Sequence, residues 1–516
     1  MLRGFIVRSP KLEVNILKHR VSSIGIAARF PHRKVAAMAA SQAADVYHMG
    51  NETLRISRKT MHGSIRNRLV EALRPALSAK GIAPGFVLLQ GGGPFNVYNT
   101  DGELIFKQES FMHYLFGVCE EDCYGAVDIR MGASFLFMPR LPEAYAVWMG
   151  SLKSTDEYKA MYAVDHVHYT DEMASVLAKH GAKEGAKPGP LHVMNGVNTD
   201  SGRPATPAQF EGADAFELDN STTLFDTITA CRVKKTPEEA ACLRYANQVG
   251  SGGHVAMMRA AKPGMMEYQL ESVFLHHCYF HGGCRITGYT PISASGPNGA
   301  ILHYGHASAP NNRQTREGDM MLMDMGCEYY RYGSDITTSW PVSGKFTPQQ
   351  ATIYNGVLKA YQSVKATMKP GVSWPDMQTL AYRTILDQLV SAGLLSGPVD
   401  DLLNKDIGAL FMPHGLGHML GLDTHDVGGY LPGTPPRSQR PGYKSMRTAR
   451  ILEPDMVITL EPGCYFNPSL LLPAFEDPVK SPHLVRQAIE PFMSFGGVRL
   501  EDNILITETG CEVSFP

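Results

Sequence analysis

The amino-acid sequence predicts a two-domain protein of mixed α/β (α+β) class. Its 516 residues are too many for one small domain. Strand-like and helix-like stretches alternate from residue 50 to about residue 226, as they do in an α/β domain. The pattern changes near residues 225–235, after which short strands and glycine-rich connections separate long helices. We therefore predict an N-terminal α/β domain over residues 50–228 and a second domain over residues 229–516.

In the N-terminal domain, hydrophobic periodicity predicts one helix and three strands. Apolar residues recur at spacings of three and four over Met61–Lys80, which predicts a helix interrupted by Pro75. The apolar runs Phe86–Leu89, Ser134–Met138 and Ala146–Met149 predict short strands, and a run of glycines follows the first of them.

In the second domain, helix-start signals are the clearest local features. Thr236 precedes Pro237 and two glutamates, which is typical of a helix with threonine as N-cap and proline in the first turn. A long helix is therefore predicted over residues 235–261, and a second one near Met265–Phe280. Further helices are predicted over residues 348–368 and 374–393.

Residues 1–37 differ from the rest of the chain in charge. They hold eight lysines and arginines and one acid, Glu13. Such a basic, acid-poor segment is typical of an organellar transit segment, but it is also compatible with an upstream extension whose working start is Met38 or Met49. We leave this segment out of the fold prediction and expect a cytoplasmic protein, or an organellar one if the segment is a transit signal.

Composition excludes several classes of function. The net charge of −2 gives no general reason to bind nucleic acid or an acidic membrane, and no apolar run is long enough to span a bilayer. The nine cysteines are odd in number, scattered and never spaced C-x-x-C, which argues against a disulfide framework or a zinc ribbon. Neither G-x-G-x-x-G nor a P-loop is present. We therefore expect neither nucleic acid nor a membrane as a partner.

Four acids lie where a buried strand would otherwise carry apolar side chains: Asp324, Asp335, Glu461 and Glu501. Burying unpaired carboxylates costs several kcal/mol each, so a cluster of four needs neutralising cations. Two divalent metals would supply four positive charges, and oxygen ligands favour hard ions such as Mn²⁺ or Mg²⁺. The spacing of Asp324 and Asp335 also fits a hairpin that carries one acid on each of two paired strands.

A histidine-rich segment strengthens the case for a metal site. Residues 413–429 read P-H-G-L-G-H-M-L-G-L-D-T-H-D-V-G-G and contain His414, His418 and His425, while His303 lies earlier in the chain. Histidine is a common metal ligand, and glycine lets the backbone pass close to one. The segment is not an H-E-x-x-H site, because glycine and leucine separate His414 from His418.

The order of these motifs resembles the dinuclear metallopeptidases of the pita-bread fold, which include methionine aminopeptidase, aminopeptidase P and prolidase. Within that family the resemblance is greatest to the prolidases, the Xaa-Pro dipeptidases. It covers roughly residues 50–510 and extends beyond the acids and histidines to G-N-E-T-L at 50–54, Q-E-S-F at 108–111, P-R-L-P at 139–142, W-M-G at 148–150, G-V-N-T-D-S at 196–201, H-Y-G-H at 303–306 and R-T-A-R at 447–450.

This resemblance implies a smaller creatinase-like N-terminal domain, a pita-bread catalytic domain and two metal ions, expected to be Mn²⁺. Asp324 would hold one metal, Asp335 and Glu501 would bridge both, and His418 and Glu461 would complete the second. A metal-bound hydroxide would attack the scissile carbonyl.

The resemblance also implies roles for the groups around the metals. Glu461 would shuttle a proton to the leaving nitrogen, while His425 and His303 would hydrogen-bond the substrate or the tetrahedral intermediate. His414 would orient its neighbours.

A dipeptidase must recognise the free carboxylate of its substrate. Arg447 is the first candidate because arginine binds carboxylates bidentately, and Arg499 would serve charge balance or the same carboxylate. A pocket near Tyr289 would accept the proline ring. A homodimer is expected, in which Trp148 of the N-terminal domain would reach the site of the other subunit.

Two alternatives stay open at this point. The first is aminopeptidase P activity on longer peptides, because the metal-binding motifs are shared. The second is a catalytically inactive relative used for binding, which the presence of all five candidate metal ligands argues against.

Overall fold

The computed structural model describes residues 44–181, 189–306 and 310–513. The basic segment of residues 1–37 lies outside the described residues. The first half of the described chain forms strands and helices in alternation. They are β1 (Val46–Tyr47), β2 (Ile56–Ser57), α1 (Arg58–Ala79), β3 (Phe86–Gln90), α2 (Ser110–Phe116), β4 (Tyr124–Asp128), β5 (Ser134–Met138), α3 (Ala146–Met149), α4 (Thr155–Tyr162), β6 (His166–Tyr169), α5 (Met173–Gly181), β7 (Leu191–His192), β8 (Leu218–Asp219) and α6 (Thr223–Val233).

A six-stranded sheet organises this half, in the order β6-β5-β4-β3-β7-β8. Its two central pairs are antiparallel, whereas the outer pairs are parallel. Helix α1 begins after its N-cap Ser57, three residues before the predicted start, and continues through Pro75 instead of being interrupted there. Its buried residues Met61, Ile65, Leu69 and Leu73 recur every four residues and form one apolar face.

The strand predicted at Ala146–Met149 is wrong, because these residues form the short helix α3. Val147 is 81 % exposed and Trp148 is 83 % exposed, so the apolar run does not enter the core. Short apolar runs do not distinguish a strand from a helical turn, because four residues do not establish a period.

The second half contains the longest helices and several small sheets. Its elements are α7 (Pro237–Ala260), α8 (Glu267–Gly282), β9 (Ile286–Thr287), β10 (Ile292–Ser295), β11 (Met320–Asp324), β12 (Cys327–Tyr329), β13 (Tyr332–Gly333), β14 (Thr337–Pro341), α9 (Pro348–Thr367), α10 (Trp374–Ser391), α11 (Val399–Asn404), α12 (Gly408–Phe411), β15 (Val457–Leu460), β16 (Gly463–Tyr465), α13 (Pro468–Glu476), α14 (Arg486–Ile489), β17 (Gly497–Arg499), β18 (Asp502–Ile506) and β19 (Cys511–Val513).

The helix-start signals of this half are confirmed. Thr236 caps α7, and its side chain and that of Glu239 bond each other's backbone N–H groups in a capping box. Helices α9 and α10 lie within two residues of their predicted bounds. The predicted domain boundary at residue 228 falls within α6 and stays a prediction.

The small sheets bring distant segments of the second half together. They have the orders β10-β11-β14, β13-β12-β9, β15-β18-β19 and β16-β17. Isolated bridges join Thr337 to Glu501 and Met419 to Ile458, so the ends of β11, β15 and β17 meet in one place. The buried Trp374 lies beneath the histidine-rich segment, where its Nε1 donates to the carbonyl of Gly417 at 3.3 Å.

The hairpin predicted for Asp324 and Asp335 is wrong in register. Asp324 ends β11 and pairs with Thr337 of β14, so Asp335 lies two residues before the paired strand. The chain between the two acids forms β12 and β13, which belong to a different sheet. Spacing alone did not reveal this excursion, because it depends on pairing between β12 and β9.

No helix among residues 44–181, 189–306 and 310–513 is both long enough and apolar enough to cross a membrane.

A buried histidine joins the two halves of the described chain. His62 of α1 donates from Nδ1 to the carbonyl of Tyr114 at 2.9 Å, and its Nε2 lies 2.9 Å from the hydroxyl of Tyr330. Burial, together with the charges of Arg66 and Arg58, lowers the pKa of His62 to about 3. The imidazole is therefore neutral in the folded protein at neutral pH.

This pKa predicts a pH-dependent stability. Below the ordinary histidine pKa of about 6.5, the unfolded chain binds a proton that folded His62 does not bind, so stability falls as the pH falls towards about 3. His62→Gln should reduce the slope of unfolding free energy against pH by up to about 1.4 kcal/mol per pH unit. Urea denaturation at several pH values measures this slope. The exposed His276→Gln should leave it unchanged, and equal slopes in wild type and His62→Gln would contradict the prediction.

Candidate active site

A cavity of about 490 Å³ opens where the strand ends of the second half meet. All five predicted metal ligands line it. Four of the five residues expected to bind the substrate also line it, as does His414, the residue expected to orient its neighbours. These residues are Asp324, Asp335, His418, Glu461 and Glu501, and then Tyr289, His303, His414, His425 and Arg499.

Three of the predicted ligands converge on one point. Single ligand atoms of Asp335, His418 and Glu501 all lie within 4.8 Å of one another, and all three residues are buried. No other such group of three exists in the described part of the chain. His418 donates from Nδ1 to the carbonyl of Met419 at 3.0 Å, which turns Nε2 towards the carboxylates. That Nε2 lies 3.3 Å from Asp335 Oδ2 and 3.6 Å from Glu461 Oε1.

The carboxylates of the site are buried close together, and their negative charges repel one another. Burial raises the pKa of Asp324 to about 6 despite the nearby Arg499, and burial raises the pKa of Glu461 to about 7. Burial and the charges of the other three acids raise the pKa of Glu501 well above its usual range. Asp335 differs: its contact with His418 lowers its pKa in spite of burial.

This donor set fits divalent cations. Oxygen atoms dominate it, one neutral imidazole nitrogen joins it, and like charges crowd within a volume from which water is largely excluded. Burial opposes a charge on His418, yet the hydrogen bond and charge of Asp335 raise the pKa of the imidazole. The carboxylates therefore favour positive charge at this point, where a cation would take the place of the proton and leave the imidazole neutral.

Arg499 is fully engaged inside the site. Its Nη2 lies 2.5 Å from Asp324 Oδ2, Nε donates to Thr337 Oγ1 at 3.0 Å, and Nη1 donates to Tyr465 Oη at 2.9 Å. Thr337 in turn donates to Glu501 Oε2 at 2.6 Å. Of the two predicted roles of Arg499, these contacts favour charge balance over binding of a substrate carboxylate.

His414 continues this network. Its Nδ1 donates to the carbonyl of Gly415 at 2.8 Å, so Nε2 accepts from the hydroxyl of Tyr465 at 2.9 Å. Burial and the charge of Arg499 lower the pKa of His414 to about 3, which keeps the ring neutral. The ring also lies 3.6 Å from Glu461 Oε2. These contacts agree with a residue that orients its neighbours.

His425 and His303 lie at the more exposed mouth of the cavity. The rings of His425 and His418 meet edge to face at 4.5 Å. Loss of hydration is the largest cause that lowers the pKa of both His425 and His303, and the charge of Arg447 contributes to each. Both imidazoles are therefore neutral at neutral pH and can each donate one hydrogen bond.

Of the two remaining substrate-binding candidates, Tyr289 lines the cavity and Arg447 does not. Tyr289 donates its hydroxyl to Asp324 Oδ1 at 2.6 Å, so it supports a predicted metal ligand besides lining the cavity. Arg447 lies beside the cavity and not in its wall, and its nearest charged partner is Asp200, with Nη1 and Oδ2 3.6 Å apart.

Two residues of the site carry no signal in the sequence. Lys107 comes from the first half of the chain, lines the cavity and pairs with Glu328 at 2.5 Å. Asn503 accepts from the backbone N–H of Asp335 at 2.9 Å and so fixes that acid. No local pattern marks either residue, because each reaches the site through contacts more than 150 positions apart in sequence.

The comparisons with known proteins agree with this geometry. Residues 241–508 match metallopeptidase family M24, and residues 62–187 match the aminopeptidase P N-terminal domain. The chain is 49 % identical to the Xaa-Pro dipeptidase of Mus musculus over 467 residues, which cover 90 % of this chain and 92 % of that protein. It is 49 % identical to the Xaa-Pro dipeptidase of Homo sapiens over 469 residues, with 90 % and 92 % coverage.

A solved structure gives the same result for the fold. The aminopeptidase PepP of Pseudomonas aeruginosa matches with a TM-score of 0.69 and 27 % identity over 88 % of this chain and 94 % of that one. The protein is therefore a pita-bread metallopeptidase with an aminopeptidase P type N-terminal domain. It belongs to metallopeptidase family M24.

Glu501→Gln tests whether the acid cluster holds metal. Burial and the neighbouring acids raise the pKa of Glu501 well above its usual range, so the neutral glutamine should cost little stability in chelator-treated protein. The variant loses one carboxylate ligand, so its affinity for Mn²⁺ should fall by at least about tenfold. Equilibrium dialysis measures binding, and calorimetry measures the rise in Tm on adding metal. Glu476→Gln, at an exposed site, should bind as wild type does. Equal metal binding by Glu501→Gln would contradict the assignment.

Proposed function

We propose that the protein is a metal-dependent Xaa-Pro dipeptidase that hydrolyses dipeptides with proline or hydroxyproline at the C-terminal position. The observation that carries this proposal is one cavity in which the carboxylates, His418 and four further histidines meet. Support comes from Xaa-Pro dipeptidases that are 49 % identical over nine-tenths of the chain.

We assign two divalent metal ions, Mn²⁺ in our proposal, to the five lining residues Asp324, Asp335, His418, Glu461 and Glu501. When bound, such ions would acidify a water molecule and polarise the scissile carbonyl. Asp335, His418 and Glu501 form the compact core of this set, whereas Asp324 and Glu461 adjoin it.

Glu461 is the proposed proton carrier. Burial raises its pKa to about 7 when no cation is present, and in the loaded site its carboxylate would accept a proton from the attacking water and pass it on. The leaving nitrogen of proline has no hydrogen in the peptide and must receive one for the bond to break. His414, 3.6 Å from Glu461, would orient this carboxylate.

The mouth of the cavity supplies substrate recognition in this proposal. His425 and His303 would donate hydrogen bonds to the carbonyl oxygen or the substrate carboxylate. Arg447, beside the cavity, would bind the C-terminal carboxylate through its planar fork of N–H groups. Tyr289, Ile292 and Leu302 offer aromatic and apolar surface for the proline ring.

We also propose a homodimer, supported by apolar side chains on the surface of the first half of the chain. Tyr98, Val147 and Trp148 are 96 %, 81 % and 83 % exposed, and burial between two subunits would remove their apolar surface from water. In the dimer, Trp148 would approach the active site of the other subunit.

A cytoplasmic location is our proposal as well. All nine cysteines are free thiols, as expected in a reducing compartment.

Release of proline from Gly-Pro tests the activity. Chelator-treated protein should release none, and restoring Mn²⁺ should recover release because the acid cluster again holds its cations. Glu461→Gln should lower kcat at least about a hundredfold, since it removes both a ligand and the proton carrier. A ninhydrin assay for proline measures the rate. Metal-independent release, or full activity in Glu461→Gln, would contradict the mechanism.

The tripeptide Gly-Pro-Ala separates the proposal from aminopeptidase P activity. A dipeptidase that binds the proline carboxylate should cleave it at least about a hundredfold more slowly than Gly-Pro, because its proline carries no free carboxylate. Comparable kcat/KM values for both peptides would instead favour an aminopeptidase.

A further inference from the structure

Asp200 lies in a turn of the first half of the chain, between β7 and β8, and not in the catalytic half. Asn198 Oδ1 accepts from the backbone N–H of Asp200 at 2.9 Å and from that of Ser201 at 3.0 Å. The backbone N–H of Gly202 donates to the carbonyl of Asn198 at 2.9 Å and closes the turn. The Asp200 side chain is 13 % exposed, so this charge is largely removed from water.

Two arginines of the catalytic half share the Asp200 carboxylate. Arg437 Nη2 lies 3.1 Å from Asp200 Oδ1 and donates to the carbonyl of Thr199 at 3.0 Å. Arg437 also donates to the carbonyl of Met446, and its guanidinium lies 4.4 Å from the ring centre of Tyr430. Arg437 is therefore anchored on several sides and fixes one oxygen of Asp200.

The other oxygen faces Arg447. Asp200 Oδ2 lies 3.6 Å from Arg447 Nη1, a distance of charge attraction beyond a hydrogen bond. Within the described residues, the guanidinium of Arg447 makes no hydrogen bond, whereas all three guanidinium nitrogens of Arg499 do. Arg447 is 30 % exposed and keeps its donors available.

The backbone of Arg447 is held in place, although the N–H donors of its guanidinium remain available. A Cβ atom on Gly429 would lie 2.0 Å from the carbonyl oxygen of Arg447, so only glycine allows this close packing. The charge of Arg447 reaches the active site, because it contributes to the lowered pKa of both His303 and His425.

We propose that Asp200 is a positioning residue that holds the Arg447 guanidinium at the cavity mouth, ready for the carboxylate of the substrate. This inference rests on the proposed dipeptidase function. A free arginine side chain has considerable rotamer entropy, part of which must be lost on binding. The charge of Asp200 restricts the rotamers of Arg447 before the substrate binds. Because Asp200 faces only Nη1, the other N–H groups of the guanidinium stay available for the substrate carboxylate. The first half of the chain thereby takes part in recognition of the substrate carboxylate.

Asp200→Asn tests this role, since it keeps the shape of the side chain and removes the charge. We expect KM for Gly-Pro to rise about tenfold and kcat to change less than about twofold, because Asp200 acts on binding and not on bond cleavage. The inhibition constant of free proline should rise in parallel. Asp200→Glu should restore part of the loss. Asp171→Asn, which breaks the exposed ion pair with Arg140, is the matched control and should leave KM unchanged.

A double-mutant cycle with Arg447→Gln decides whether Asp200 acts through Arg447. Arg447→Gln should raise KM, and adding Asp200→Asn should raise it little further. The inference would be overturned if the increases in KM of the two single variants multiplied in the double variant. An unchanged KM in Asp200→Asn, or a loss of kcat alone, would also overturn it. Metal content and Tm close to those of wild type would show that Asp200→Asn is folded. Loss of bound metal in Asp200→Asn would indicate a structural role for Asp200 and would also overturn the inference.

Failure of the proposed dipeptidase function and failure of the inference about Asp200 give different experimental results. If wild-type protein with Mn²⁺ releases no proline from Gly-Pro, the proposed function is wrong and the inference falls with it. If wild type is active and Asp200→Asn has the same KM, only the inference is overturned.

Discussion

The crowding of four carboxylates in one buried volume is the constraint on which the catalytic half depends. Such a cluster costs several kcal/mol for each uncompensated charge, and the high pKa of Glu501 and the pKa of about 7 for Glu461 express that cost. The protein compensates with Arg499 and His418, and the donor set leaves room for divalent cations. The small sheets, whose strand ends meet at this point, place the charges there.

The groups around the acids hold them in place through hydrogen bonds. Tyr289 and Thr337 donate hydroxyl hydrogens to Asp324 and Glu501, and Asn503 holds the backbone of Asp335. Tyr465 links Arg499 to His414, so a continuous hydrogen-bond network runs beneath the cavity. Outer contacts of this kind fix ligand orientation, which is why the site is not specified by its ligands alone.

The matched relatives include proteins named Xaa-Pro dipeptidase and one named aminopeptidase, so different peptidase activities share this fold. The metal ligands cannot separate such activities, because function lies in the site and its surroundings and not in the fold. Around the cavity, Lys107 and the pair Asp200–Arg447 connect the first half of the chain with the catalytic half.

The sequence by itself determined the two-part organisation, the helices α7, α9 and α10, and the identity of most acids and histidines that line the cavity. These features are local: a capping box or a carboxylate after an apolar run is visible within a few residues. Only the tertiary structure decided the register of Asp335, the helical state of Ala146–Met149, the contact of Tyr289 with Asp324 and the place of Arg447 beside Asp200. Each of these depends on contacts between distant segments, and the spacing of residues along a chain does not encode which distant segments will pair.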